Sequence, residues 1–160
     1  MSLPMKTMID ALSTWQLEDG TSTFEITDEQ SGWTIRLAVE ATDSLGTRLE
    51  EIALFREEPV DNLRGWAEKV AGNVRGLLEP LTLLELDEEK GLALLRSDVP
   101  AHAEAKLFYY EVRLLREGKA FLQRFQASKS VGRREQVSFT LTHEVIANVV
   151  KDLVPTVDEK

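Results

Sequence analysis

An α+β fold is predicted for this chain: an antiparallel sheet of about seven to eight strands covered by two or three amphipathic helices. Three observations carry the prediction. In mid-chain Val60, Leu63, Ala67, Val70, Val74, Leu77 and Leu78 recur at helical spacing. On both sides of that stripe the apolar residues alternate with period two, as half-buried strands do. Near the C-terminus a second stripe, Val145, Ile146, Val149, Val150 and Leu153, follows a threonine placed to cap it. A central helix with strand runs before and after it must cover a sheet rather than join a helical bundle.

The element order read along the chain is α-βββ-α-βββββ-α. A first helix over 4–17 places Met5, Met8, Ile9, Leu12 and Trp15 on one stripe, with Pro4 at its start and the polar run Glu18, Asp19 and Gly20 at its end, where Gly20 can supply the left-handed cap. Phe24 and Ile26, then Trp33, Ile35, Leu37 and Val39, form a hairpin about a turn at 28–32. A third strand carries Ile52 and Leu54, and Glu50 and Glu51 break its alternation, which signals a bulge or a solvated strand start. The central helix is expected over 60–78, with Glu57 and Glu58 near its positive end. Gly65, Gly72 and Gly76 lie within that span as tolerated small residues or points of close approach.

Five strands are read after it. Segments 82–86 and 92–96 form a hairpin, and 97–105, with Pro100, is the longest loop candidate and the place to look for mobility. Phe108, Tyr110, Val112 and Leu114 alternate through a long strand that turns at Glu117 and Gly118 into 120–127. A last strand holds Val137, Phe139 and Leu141 before Thr142 caps the final helix, which Pro155 ends. Each half closes with a strand entering an apolar helix, yet the residues show no convincing repeat. The chain therefore reads as a single domain over 1–154 with a polar tail at 155–160.

Composition narrows the function. A chain of 160 residues is long enough to bury a core without staples, and it has no cysteine, which excludes disulfides and thiolate chemistry. The net charge of −9 opposes a general grip on nucleic acid or anionic lipid. No apolar run suits a signal sequence or a membrane span, so a cytoplasmic location is expected.

Catalytic groups are sparse. His102 lies in the 97–105 loop and reads as solvated; His143 follows the capping threonine, where an imidazolium opposes the helix dipole, and reads as a surface residue. The carboxylates cluster in exposed runs such as Asp87, Glu88 and Glu89, which lack both the divided environments of a catalytic pair and the spacing of a calcium loop. No phosphate loop or dinucleotide fingerprint is present, so no enzyme activity, metal or cofactor is expected.

The candidate contacts are Lys129, Arg133, Arg134, Tyr109 and Trp66. The basic turn at 128–134 offers Lys129 and the paired arginines to a carboxylate or phosphate, or else its charges balance neighbours such as Glu135. Tyr109 points away from the apolar face of its strand, with Glu111 and Arg113, and is available to a partner. Trp66 sits beside the central stripe, a core-edge position.

The order of the helix at Met5 to Trp15, the strands of Phe24, Trp33 to Val39 and Ile52 to Leu54, the helix Val60 to Leu78 and the terminal helix Val145 to Leu153 resembles class I type III secretion chaperones. The resemblance covers element order and acidic composition. It implies a small dimeric protein that holds a segment of another protein without catalysis. The function expected is accordingly a protein- or peptide-binding, chaperone-like module, with a homodimer possible. The alternatives are a small-molecule site or cryptic enzyme between sheet and central helix, and a structural or regulatory subunit.

Overall fold

The computed structural model describes residues 5–14, 23–43, 45–74, 76–77, 79–97, 101–103, 106–128 and 133–155. In chain order these form α1 (Met5–Thr14), β1 (Thr23–Thr27), β2 (Thr34–Thr42), β3 (Gly46–Phe55), α2 (Leu63–Asn73), β4 (Leu81–Asp87), β5 (Leu92–Ser97), β6 (Ala101–Ala103), β7 (Lys106–Leu115), β8 (Lys119–Ser128), β9 (Arg134–Val137), β10 (Phe139–Thr142) and α3 (His143–Leu153). The α+β class and the helix–strand order are as the residue pattern predicts. Trp15, Gly20, Leu78 and the 156–160 tail lie outside the described residues.

All ten strands belong to one antiparallel sheet with the path β1-β2-β3-β8-β7-β5-β4. Two strands beyond the expected eight have simple origins. Ala101–Ala103, inside the segment expected to be a loop, pairs with the start of β7 as β6. The last strand divides at Ser138: its first half pairs with β8 and its second with β3. Strands β3 and β8 pair directly only from Ile52 to Phe55, then diverge, and β9 and β10 fill the fork. Gln136 Nε2 donates to the Glu50 carbonyl at 2.7 Å, and Arg48 Nε donates to Ser138 Oγ at 3.0 Å across this wedge. Glu50 is the extra residue where Ala38 faces Glu51 but Val39 faces Leu49, the bulge that the broken alternation predicts.

The helices lie on one face of the sheet. Ile35, Leu37, Ile52, Leu54, Leu95, Val112, Leu114 and Leu122 point to that inner face and form one apolar cluster with Met8 and Leu12 of α1, the buried face of α2, and Ile146, Val149, Val150 and Leu153 of α3. Helix α1 packs on α3, and α2 lies over β4 and β5.

Helix α2 is shorter than the 60–78 stripe. Its cap is Asn62, whose side chain accepts from Gly65 N at 2.9 Å, and Val74 is already extended. Val60 is buried but not helical, because its N–H donates to the Arg116 carbonyl at 2.8 Å and ties the segment to the β7–β8 turn. Glu57 and Glu58 therefore precede the helix rather than enter its first turn. Gly118, at φ +109°, makes that turn possible: a Cβ there would lie 2.5 Å from the Arg56 carbonyl oxygen. Helix α3 begins as predicted, with Thr142 Oγ1 accepting from Val145 N at 3.2 Å.

Candidate docking face

The outer face of the sheet has a composition that the strand register explains. Residues paired side by side across the strands share a face. One row runs Glu25, Arg36, Ala53, Phe121, Arg113 and Leu94 across β1, β2, β3, β8, β7 and β5. The next holds Gln123, Glu111 and Arg96, and the one beyond it Gln136, Phe125 and Tyr109. None of these residues joins the core cluster, and no described element covers them.

Guanidinium groups lie over the rings of this face. Arg36 stands 4.6 Å from the Phe55 ring centre, Arg113 5.1 Å from Phe121, Arg96 4.7 Å from Tyr109, and Arg134 3.9 Å from Phe125. Phe55 meets Phe121 edge to face at 6.2 Å, and Tyr109 meets Phe125 at 5.9 Å. The arginine stems shield the rings while their charged heads stay at the surface.

At the centre is Glu111, only 3% exposed. Its Oε1 accepts from Arg134 Nη1 at 2.8 Å and Arg96 Nη2 at 3.1 Å. The Glu111 carboxylate, followed by the Tyr109 hydroxyl, holds the Arg134 guanidinium above its ordinary pKa. Arg96 Nε is buried without a hydrogen-bond partner.

The sequence-derived candidates separate into four groups. Arg134 and Tyr109 come together on this face, but Tyr109 is 8% exposed, covered by Arg96 and Phe125, and so is not the open contact expected. The partner of Arg134 is Glu111, on another strand, rather than Glu135. Arg133 is exposed beside β9, and its carbonyl accepts from Ser128 N. Lys129 lies outside the described residues. Trp66 is fully buried: with the helix starting at Leu63, the stripe Leu63, Trp66, Ala67, Val70 makes it central rather than marginal. Its Nε1 donates to the Leu153 carbonyl at 2.7 Å, and its ring tilts against Trp33 at 5.7 Å.

His143 is likewise buried, not superficial. Its Nε2 is 3.1 Å from Thr47 Oγ1, and its backbone N–H donates to the Leu45 carbonyl at 3.0 Å, because the β10–β3 pairing sets the start of α3 against that strand. For His102 the structure places the backbone in β6. Sequence reading missed Phe55, Phe121, Arg36 and Arg96, whose alignment is a matter of cross-strand register. The signal available was the pair of polar-face aromatics at Phe121 and Phe125, four residues apart on one strand.

Two further features border the site. A groove of about 570 Å³ opens where the β1–β2 turn meets the exit of β3, lined by Glu29, Ser31, Thr34, Phe55, Glu57 and Glu58 among others. On the inner face Arg124 pairs with Glu79 at 3.2 Å and lies 4.3 Å from the Tyr110 ring, and burial pushes the Tyr110 phenol above its ordinary pKa. Among the described residues no group of three His, Asp or Glu is placed to hold a metal ion, and no helix is long and apolar enough to cross a membrane. No family model, curated protein or solved structure gives a significant match to this chain.

Proposed function

We propose that this chain is a non-enzymatic, chaperone-like module that docks another polypeptide on the outer face of its sheet. The observation that carries the reading is the row of guanidinium-capped rings on a face that no described element covers. Aromatic residues and arginine are the side chains that protein interfaces concentrate, and they dominate binding energy there. A guanidinium stacked on a ring keeps its in-plane N–H groups for carboxylates and carbonyls of a partner. The same stacking covers ring faces that a nucleobase would need, and the charge of −9 repels a polyanion.

The resemblance in element order to class I type III secretion chaperones supports a protein-holding role in general terms. It supports no particular effector groove, since seven strands follow α2 here where that family has two. Trp33, Trp66 and Val70 are buried together between α2 and the sheet, which favours the protein-binding reading over a small-molecule site there.

The test is a comparative pull-down from a native lysate in mild salt, using the wild-type chain and Phe121→Asp. Phe121 is half-buried and outside the core cluster, so the variant folds as the wild type does by far-UV circular dichroism. A specific polypeptide recovered with the wild type and lost with the variant is expected. Recovery of the same polypeptides by both chains, or of none by either, counts against the proposal.

A further inference from the structure

The arginines of the outer face differ in what neutralises them. Arg36 is held by Glu25 at 2.9 Å, and Arg96 and Arg134 share Glu111 at 3.1 and 2.8 Å. Arg113 is exposed, stacks on Phe121 and makes no ion pair among the described residues. Its neighbours across the strands are Phe121 on β8 and Leu94 on β5, and half-buried Leu115 lies two residues further along β7. The carboxylates of this region are engaged elsewhere or distant. Glu111, two residues back on β7, is 3% exposed and already accepts from two guanidiniums. Glu117, in the β7–β8 turn, pairs with Lys119, and Glu51, two strands away on β3, accepts from Gln123 Nε2. Glu85 lies on the far side of Leu94, two strands and about 10 Å from Arg113.

We infer that the polypeptide docked on this face brings an aspartate or glutamate side chain to Arg113, flanked by apolar residues that cover Phe121 and Leu94. This rests on the protein-binding reading of the same face. A partner that covers Phe121 strips water from the guanidinium stacked on it, and a desolvated charge without a counter-charge weighs heavily against binding. Stacking leaves the in-plane N–H groups open to a carboxylate, which can accept two of them. Arg36, Arg96 and Arg134 have their counter-charges within the fold, so Arg113 is the position where the partner's charge decides the outcome. The segment carries one acidic residue among apolar ones rather than an acidic run. A run is repelled by the net charge of −9, whereas a single buried contact reads its immediate neighbours, exposed charges beyond about 8 Å being largely screened.

Selection of a random peptide library displayed on phage, against the full chain and its variants, tests the inference. The wild type is expected to retain peptides that Phe121→Asp loses, enriched in Asp or Glu beside Leu, Ile or Phe. Arg113→Glu, at an exposed position outside the core cluster, instead selects Lys or Arg at that place, with circular dichroism confirming that it folds. A synthetic peptide from the wild-type selection binds Arg113→Gln about tenfold more weakly. Arg113→Lys falls between, because an ammonium keeps the charge but not the planar, bidentate fork. Changing the acidic residue of that peptide to its amide weakens binding to the wild type about tenfold and to Arg113→Gln hardly at all, as a coupled pair requires.

Peptides sensitive to Phe121→Asp but without acidic enrichment overturn the carboxylate at Arg113, as do acidic peptides that Arg113→Glu retains unchanged; in either case the protein-binding reading stands. If no peptide distinguishes the wild type from Phe121→Asp, that reading falls and the inference falls with it.

Discussion

Gly118 occupies a position where backbone, not side chain, leaves no room. Its positive φ and the carbonyl oxygens of Arg56 and Glu58, which a Cβ would approach to 2.5 and 2.8 Å, make Gly118→Ala costly. We expect a loss of about 3 kcal/mol, read as a lower urea midpoint. Gly72 is the contrast: a Cβ there meets nothing within 4 Å, so Gly72→Ala raises stability by about 0.5 kcal/mol in the same measurement. Asp43 gives a pH signature. Backbone N–H groups of Gly46 and then Leu45 hold its carboxyl below the ordinary range. Its contribution is therefore complete above the unfolded value, about 3.9, and is lost as pH falls through the lower folded value. Asp43→Ala should flatten part of the acid limb in urea midpoints taken from neutral pH downward; an unchanged limb refutes that assignment.

At the scale of elements, α3 shows what packing supplies that propensity does not. Four of its residues, Val145, Ile146, Val149 and Val150, are β-branched and poor helix formers, yet the last three are buried in the core. Its cap should be worth measuring: Thr142→Ala costs about 1 kcal/mol in urea unfolding. Trp66→Phe in α2 leaves the Leu153 carbonyl without its donor and a void beside Trp33, a loss of about 2–3 kcal/mol. The periodic elements were legible because a covered face imposes its period on the residues. The end of α2 was not, since Val60 and Val74 are as buried as helical neighbours and keep the stripe running past the helix. Buried spacing reports which residues face the core, and a backbone bond such as that from Val60 to Arg116 decides which of them are helical.

At the scale of the whole molecule the described residues give the sheet one committed side, under the helices, and one open side that no described element covers. The committed side was readable residue by residue, through alternation at Ile35, Leu37, Ile52 and Leu54. The open side depends on which strands are neighbours and in what register, so Arg36, Phe55, Phe121 and Arg113 fall into one area only once the sheet is assembled. Glu111 shows the same limit: alternation places it with Tyr109 and Arg113 on the polar face, and its two arginine partners come from other strands. Glu111→Gln should lower stability by about 1–2 kcal/mol, less than a deeply buried ion pair because both arginines can turn to water.

The fork between β3 and β8 sets an order of assembly. Residues 134–142 wedge between strands that begin nearly ninety and about fifteen residues earlier in the chain, so both must be in place before the wedge has an edge to join. During synthesis the sheet consequently stands open until the last stretch emerges, with β3 and β8 each showing a row of unpaired backbone groups. Closing that gap is a late, long-range event of the kind that slows folding. A stalled or truncated chain ending before Arg134 would meet its neighbours through those two edges, which makes the final segment this protein's own guard against aggregation.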